Sequence, residues 1–423
     1  MIKNNLREHL GAGWVLGFIL GLPLAWAGVS LAEDAPRVER AAGAAAVEAP
    51  VGYAAIVPAM RGFVERGEVA GVVTLVMRGG ELVHHEAVGM ADLERGREMK
   101  PDTVFWIASM TKPMTGAALM TLVDEGKVSL DDPVSKHLPE FRDVKLADGR
   151  APATAPTIRH LVTHSSGITE VREFQSVQGA TLEQISRAIA AKPLRFEPGT
   201  KWSYGSGLSI AGRVIEVASG VEYGEFMRQR LFTPLGMSDT GFQLTPAQHD
   251  RAARPYARNK GTGKLERARS VYFPEEPEGA DSKRQANPSG GAYSTATDYG
   301  RFLQMLLNGG ELRGKRVLSA KAVAQMLSPQ LPPEVATGFT PGNTWGVGAC
   351  IVRQPQGVTA MLSPGSCGHG GAYGTQGWID PTRRMAMVLM ISRTNLPNAD
   401  ASDLRGEFQR LAVASAEAGG ERP

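Results

Sequence analysis

Cysteine and clustered charge are both scarce in this sequence. Its 423 residues contain two cysteines, Cys350 and Cys367, and the formal net charge is +3. Lysine and arginine never form a run of four or more, so we expect no surface that follows the phosphates of a nucleic acid. No repeat of about 20 to 50 residues is visible, which argues against a solenoid or a propeller. Two cysteines allow one disulfide or two buried free thiols, and the sequence leaves both open.

Two familiar catalytic motifs are missing as well. The sequence has no G-x-S-x-G, the strained turn that carries the serine of α/β-hydrolases. His160 and His164 stand four residues apart, as the histidines of a helical zinc site do, but Leu161 takes the place of the glutamate in H-E-x-x-H. We therefore predict neither a metal nor another cofactor.

The first residues follow the plan of a secretory signal. A basic start, MIKNNLREHL, precedes an apolar stretch that ends at the small-residue site Ala25-Trp26-Ala27. We predict a signal peptide over residues 1–27, with cleavage as late as residue 32 as the alternative, and hence a periplasmic or secreted protein. The apolar stretch of about 17 residues is barely long enough to cross a bilayer, and Pro23 interrupts it. A retained N-terminal anchor, the only membrane contact we consider, is the less favoured interpretation.

Hydrophobic spacing predicts the order of the remaining elements. Apolar residues recur at helical spacing from Tyr53 to a stop at Gly67, and two strand-like runs flank Gly79-Gly80, as in a β-hairpin. A second helix is predicted over residues 108–125. Strand-like runs follow at residues 345–352, 375–379 and 385–391, and a last helix at residues 403–414.

This order predicts an α+β fold, an antiparallel sheet flanked by helices with an inserted, mainly helical domain. After a flexible, Ala-rich lead-in at residues 28–52, the sheet domain would comprise residues 53–112 and 288–418. Residues 113–287, where short helical segments alternate with Pro- and Gly-rich connections, would form the helical domain.

Ser109 and Lys112 form the only Ser-x-x-Lys in the sequence. Residues three apart on a helix share a face, so the lysine amine can reach the serine hydroxyl. Pro113 is comfortable only in the first helical turn, which ties Ser109 to the helix start, where the dipole favours developing negative charge. A serine is a weak nucleophile unless a base or a cation assists it, and a partly desolvated lysine can do either. Alone, however, the motif is equally typical of a solvated helix face.

Two further segments carry polar groups beside glycines. Tyr204 lies in KWSYGSG, where a nearby ammonium would lower the pKa of its phenol and let it relay a proton. His369, Gly370 and Gly371 begin a strand-like run, and the glycines would let the backbone approach a ligand, with an edge-strand N–H aiding an oxyanion. Taken singly, a packed tyrosine and a structural bulge explain these two segments at least as well.

Taken in order, SMTK, YGS and HGG resemble the S-x-x-K, Y-x-N and K-T-G series of the serine β-lactamase and penicillin-binding protein superfamily. Class C β-lactamases, DD-peptidases and the carboxylesterases related to them are the most similar members. HLVTHSSGI, PLGMSDTGF and GGAYSTATDYGRF also match, so the resemblance extends from about Tyr53 to Leu411.

The resemblance implies roles for several residues. Ser109 would be the acyl-accepting nucleophile, Lys112 its activating partner and Tyr204 the general base. The backbone N–H groups of Ser109 and Ala372 would form the oxyanion hole. Ser206 in the second motif, and His369, Gly370 and Gly371 in the third, would bind the substrate.

Two departures from the superfamily pattern bear on the substrate. Ser206 stands where β-lactamases usually have an asparagine that helps hold the substrate amide, and His369 replaces a lysine that faces the β-lactam carboxylate. A histidine of ordinary pKa is mostly neutral at pH 7. We therefore favour an exported serine hydrolase that cleaves carboxylic esters. A β-lactamase or DD-peptidase acting on β-lactams or cell-wall peptides is the alternative, and a non-catalytic binding module is a third hypothesis.

Overall fold

An eight-stranded antiparallel sheet is the centre of the fold, which we describe from a computed structural model. The structure describes residues 52–170, 179–273, 284–397 and 399–419. The predicted signal peptide lies outside the described residues, as does the predicted lead-in up to residue 51. Residues Ala49–Pro423 form one compact unit. The division into a sheet domain and a helical domain stays a prediction.

The strands are short except for the first two. In chain order they are β1 Gly71–Arg78, β2 Glu81–Asp92, β3 Arg97–Glu98, β4 Phe105–Trp106, β5 Tyr256–Arg258, β6 Leu265–Arg267, β7 Tyr293–Ser294, β8 Glu311–Leu312, β9 Lys315–Arg316, β10 Asn343–Trp345, β11 Cys350–Val352, β12 Cys367–Gly370, β13 Gln376–Asp380 and β14 Met385–Met390. The large sheet has the order β10-β11-β12-β13-β14-β1-β2-β3, and β4 pairs with β7 in a separate ribbon.

Long-range pairing joins the two ends of the described chain. β1 pairs with its hairpin partner β2 on one side and with β14 on the other, in the register Val73↔Met390 and Arg78↔Met385. Every strand pair in the large sheet is antiparallel. The predicted α+β class with an antiparallel sheet is confirmed, and so is the hairpin.

The helices of the described residues are α1 Ile56–Glu65, α2 Thr111–Asp124, α3 Ile158–Val162, α4 Leu182–Ala190, α5 Gly207–Ser219, α6 Tyr223–Met227, α7 Thr233–Leu235, α8 Pro246–Arg251, α9 Ala296–Leu307, α10 Ala320–Met326 and α11 Asp403–Ala418. The predicted first helix corresponds to α1 and the predicted last helix to α11. No helix in the described ranges combines the length and the apolar character that crossing a membrane requires.

Side chains alternate between two apolar layers along the central strands, as the two-residue period of a strand requires. Val73 and Val388 face the layer that contains α9 and α2, whereas Val72 and Met387 face the layer that contains α1 and α11. The sheet is thus covered by helices on both faces. Its buried strands consequently read as continuous apolar runs such as MAMVLM.

One strand prediction is wrong. Residues 345–352 form not one strand but the ends of two, β10 and β11, which pair antiparallel with Trp345 opposite Cys350. Gly348, at φ +71°, lies in the connection and permits the reversal. The hydrophobic pattern of this run has no break at the turn. The sequence alone therefore suggests a single strand that includes the glycines of the turn.

The two cysteines lie on neighbouring strands as free thiols. Cys350 on β11 and Cys367 on β12 are both buried and unbonded to each other. Burial raises the pKa of the Cys350 thiol to about 12 and that of Cys367 further. Of the two alternatives that the sequence left open, the structure has the buried free thiols.

Candidate active site

Ser109 lies in a short 3₁₀ turn, Ala108–Met110, that leads directly into α2. Its neighbour Ala108 has φ +45°, a left-handed conformation that costs energy for a residue with a Cβ. Thr111 Oγ1 donates a 2.6 Å hydrogen bond to the Ala108 carbonyl and holds this turn in place. The prediction of a helix from residue 108 was therefore right about α2, but it placed the serine in the helix rather than in the turn before it.

Two side chains hold the Ser109 hydroxyl from different elements. Lys112 Nζ, one turn along on α2, is 3.1 Å from Ser109 Oγ, and Tyr204 OH donates to the same oxygen over 2.8 Å. Lys112 also donates to the Ser289 carbonyl over 2.7 Å and lies 4.5 Å from the centre of the Tyr204 ring. The structure thus brings Tyr204 and Ser289, which are distant in the sequence, to the Ser109–Lys112 pair.

Burial affects the two partners of Ser109 in opposite senses. Lys112 is 3% exposed, and burial lowers its pKa to about 7, against a smaller opposing effect of the Glu170 carboxylate. Burial also raises the pKa of the Tyr204 phenol well above its usual value. The expectation that the Tyr204 pKa is lowered is wrong, because burial raises it and the hydrogen bond to Ser109 opposes this only in part. Near neutral pH the amine is consequently the group that can accept a proton, while the phenol stays protonated. These directions favour Lys112 over Tyr204 for the general-base role that the resemblance implies for Tyr204.

His164 secures the chain on both sides of Tyr204. Its carbonyl accepts a 2.8 Å hydrogen bond from the Ser203 N–H, and its Nδ1 accepts one of 3.3 Å from the Gly205 N–H. The ring lies 4.6 Å from that of Tyr204, and the residue adopts φ +61°. The four-residue spacing that resembled a zinc site therefore serves another purpose. In the described ranges no three His, Cys, Asp or Glu side chains are grouped as metal ligands.

His369 is placed differently from what the sequence suggested. The residue is 1% exposed at the end of β12, and its Nδ1 donates to the Gly370 carbonyl over 2.6 Å. Burial lowers its pKa to about 3, so the imidazole is neutral. It packs behind Tyr204, with ring centres 6.0 Å apart, and is not among the residues that line the cavity over Ser109. The prediction that His369 contacts the substrate directly is therefore not supported by this geometry.

The glycines after His369 bring the next residue against the serine turn. Gly370 ends β12, which is an internal strand of the sheet and not the edge strand that we expected. β11 pairs only with the first half of β12, at Cys367 and Gly368. The Gly371 N–H donates to the Thr375 carbonyl over 2.7 Å, and a Cβ on Gly371 would lie 2.5 Å from the Ile107 carbonyl. Ala372 consequently reaches the same cavity as Ser109.

A cavity of about 430 Å³ lies over Ser109. Ser206 lines it, as expected, whereas Gly370 and Gly371 are not among its lining residues. Its walls also include residues outside the predicted set, among them Glu170, Trp106, Tyr272 and Ser289. The available signal was proximity in the chain: Trp106 precedes the Ser-x-x-Lys, Glu170 follows HLVTHSSGI, and Ser289 precedes GGAYSTATDYGRF.

The chain is similar in sequence and in fold to known proteins. The sequence profile of the Beta-lactamase family matches residues 57–412. Esterase EstB of Burkholderia gladioli is 31% identical over 351 residues, which cover 76% of this chain and 86% of EstB. Lovastatin esterase of Penicillium rubens is 30% identical, and the match covers 64% of this chain and 72% of that esterase. The structure of EstCE1, a hydrolase with promiscuous acyltransferase activity, superimposes with a TM-score of 0.72 at 25% identity and covers 85% of this chain and 97% of EstCE1. The chain therefore belongs to the beta-lactamase family, and it is a serine hydrolase.

Proposed function

We propose that this serine hydrolase cleaves carboxylic esters through an acyl-enzyme on Ser109. The observation that carries the proposal is the pair of hydrogen bonds on Ser109 Oγ, from a lysine that is partly neutral at pH 7 and from a protonated phenol. Together they give the serine a proton acceptor and a proton donor, which acyl transfer needs in succession. The esterase relatives support an ester as the substrate.

In the proposed acylation, neutral Lys112 takes the proton of Ser109 while Oγ attacks the ester carbonyl. The backbone N–H groups of Ser109 and Ala372, both at the cavity, stabilise the oxyanion. When the carbon–oxygen bond breaks, Tyr204 gives its proton to the departing alkoxide and regains one from the Lys112 ammonium. A water molecule then attacks the acyl-enzyme and loses a proton to the amine. As the bond from the acyl carbon to Ser109 Oγ breaks, the Lys112 ammonium returns that proton to Oγ, which releases the acid and restores both residues.

The polar groups favour an ester over a β-lactam. Ser206 has a shorter side chain than the asparagine of the superfamily motif, and His369 is buried and neutral where related enzymes carry a lysine. Neither residue supplies a cation for the carboxylate of a penicillin. Action on β-lactams or cell-wall peptides remains the second candidate, since penicillin-binding protein 4* of Bacillus subtilis is 30% identical over 45% of this chain.

Steady-state turnover of p-nitrophenyl butyrate by the purified protein, beside nitrocefin, distinguishes these candidates. We expect ester turnover that Ser109→Ala abolishes and slow or no cleavage of nitrocefin. Faster turnover of nitrocefin than of the ester would favour a β-lactamase. No Ser109-dependent reaction with either compound would point to peptides or to a binding role.

Export is a separate part of the proposal. It is supported by the basic start, the apolar stretch and the Ala25-Trp26-Ala27 site of the sequence. The test is fractionation of cells that produce the full chain, followed by sequencing of the mature N-terminus. We expect periplasmic or secreted protein beginning at Gly28 or Glu33, and intact Met1 in the cytoplasmic fraction would contradict export.

A further inference from the structure

Glu170 is a charged side chain of the cavity to which the mechanism gives no role. It is half-buried, lines the cavity over Ser109, and follows the segment that contains His164. A Cβ on Gly205 would be 3.1 Å from Glu170 Oε1, so the carboxylate lies against the backbone between Tyr204 and Ser206. Among the described residues, Glu170 has no hydrogen-bond or ion-pair partner.

The cavity holds little positive charge that could balance this carboxylate. Lys112 is the only cationic side chain among the described lining residues, and its hydrogen bonds go to Ser109 and to the Ser289 carbonyl. His369, which replaces the lysine of related enzymes, is neutral and buried behind the wall. A carboxylate that forms no ion pair with any described residue, in a partly desolvated cavity, repels an anionic substrate group and attracts a cationic one.

The same cavity has an aromatic wall. Trp106 stacks on Tyr272 with ring centres 3.9 Å apart, and both side chains line the cavity. Trp106 is fixed by a 2.7 Å hydrogen bond from its Nε1 to the Gly290 carbonyl. The guanidinium of Arg284, outside the lining, lies 5.8 Å over the Tyr272 ring, which illustrates the affinity of such rings for cations. A carboxylate and an aromatic surface are the two features that recognise ammonium groups.

We propose that Glu170 makes this cavity select esters whose acyl group carries an ammonium and disfavour those whose acyl group carries a carboxylate. The inference rests on the proposed ester hydrolysis. The acyl side is chosen because Glu170 lies against Gly205, next to Ser206, which stands where the superfamily's asparagine helps hold the substrate amide. Glu170 is a specificity-determining residue in this view, and it takes part in no bond-breaking step.

Three p-nitrophenyl esters of matched shape test the proposal. The 4-(trimethylammonio)butanoate is cationic, the 5,5-dimethylhexanoate is its uncharged isostere, and the hydrogen glutarate is anionic. We expect kcat/KM for the cationic ester to exceed that of its isostere by about tenfold, and the anionic ester to be the poorest substrate. In Glu170→Gln the ratio of cationic to uncharged ester should fall towards one. Glu311→Gln, on the β8–β9 ribbon in an ion pair with Arg316, is the control and should keep the wild-type ratio.

The outcomes of this experiment distinguish failure of the Glu170 inference from failure of the proposed ester hydrolysis. An equal ratio of cationic to uncharged ester turnover in the wild type and in Glu170→Gln would overturn the inference. A change of all three rates by one common factor would also overturn it, because Glu170 would then act only on Lys112. No Ser109-dependent turnover of even the uncharged ester would overturn the proposed function, and this inference with it. If Glu170→Gln does not fold, the salt dependence of the wild-type ratio replaces it, because added salt should lower a ratio that rests on charge.

Discussion

At the scale of single residues, Lys112 combines a catalytic position with an unfavourable environment. It is nearly inaccessible to solvent, and its amine contacts Ser109, Ser289 and the face of Tyr204. Water would stabilise the ammonium, and the protein interior does so less well. The resulting pKa near 7 makes the free amine available at the pH at which most enzymes work.

The pH profile should report this amine. Because only neutral Lys112 can take the serine proton, kcat/KM for an uncharged ester should rise as the pH rises through about 7 and then level off. The measurement is kcat/KM for p-nitrophenyl butyrate at a series of pH values in buffers of constant ionic strength. A profile that is flat across this interval, or that falls, would show that the lysine acts in its charged form.

Removal of the Tyr204 hydroxyl should slow the reaction without unfolding the protein. We expect Tyr204→Phe to lower kcat by at least about a hundredfold, the scale of lost acid–base assistance, since the phenol donates directly to Ser109 Oγ. Tyr223→Phe is the matched control, because its hydroxyl bonds Thr115 Oγ1 away from the cavity. Comparable activity in the two variants would exclude Tyr204 from proton transfer.

Spacing and motif order predicted which residues meet, whereas their charge states required the structure. Ser109 and Lys112 follow from a three-residue helical spacing, which local geometry fixes. The predicted direction of the Tyr204 pKa shift is wrong because the desolvation of the phenol depends on His164, Trp345 and other residues that are distant in the sequence and pack around the ring. Similarly, no local pattern reveals that His369 is buried and absent from the lining of the cavity.

At the scale of elements, the turn between β12 and β13 is fitted closely to the turn that carries Ser109. Thr375 Oγ1 donates to the Ile107 carbonyl over 3.3 Å, and the Cα of Gly371 lies against the same carbonyl. The two turns therefore hold the proposed oxyanion groups at a fixed separation.

A methyl group on Gly371 should disturb this fit. Gly371→Ala would bring its Cβ into Thr375 Oγ1 and to 2.5 Å from the Ile107 carbonyl, so the turn must shift. We expect kcat to fall by about tenfold or more while KM changes less, because the displaced N–H serves the transition state. Gly406→Ala in α11 is the control, since its nearest neighbour would be Val358 at 3.7 Å. It should keep full activity and gain up to about 1 kcal/mol of stability.

Elements with strong periodicity were predictable, and short ones were not. The hairpin, α1 and α11 follow from spacing and glycine stops that belong to the segment itself. β10, β11 and β12 have three or four residues each, too few to show a period, and they exist because neighbouring strands pair with them. The position of Gly371 in a turn rather than at the start of a strand depends on that pairing.

At the scale of the whole molecule, the buried lysine should lower stability in exchange for reactivity. The folded-state pKa of Lys112, about 7, is below the value of 10.5 for a free lysine, so between these pH values the unfolded chain binds one more proton. The free energy of unfolding should therefore rise with pH across this interval, by up to about 1.4 kcal/mol per pH unit from this group.

Urea unfolding of Lys112→Met at pH 7 and pH 9 tests this statement. The inactive variant should be no less stable than the wild type at pH 7, and its stability should rise less between the two pH values. Lys127→Met is the control, because Lys127 is half-exposed in an ion pair with Glu125 and should leave the wild-type pH response unchanged. Identical pH responses in the wild type and in Lys112→Met would show that the lysine keeps an ordinary pKa.

The pairing of β1 with β14 also determines the order in which the molecule is completed during synthesis. The hairpin of β1 and β2 can form early, but the inner edge of β1 has no partner until Met385–Met390 has left the ribosome, after residues 79–384. An apolar strand with an open edge is prone to pair with other chains. A nascent chain of this protein consequently carries an open, apolar strand edge for most of its synthesis, and truncation anywhere before β14 should yield an aggregating product rather than a smaller folded one.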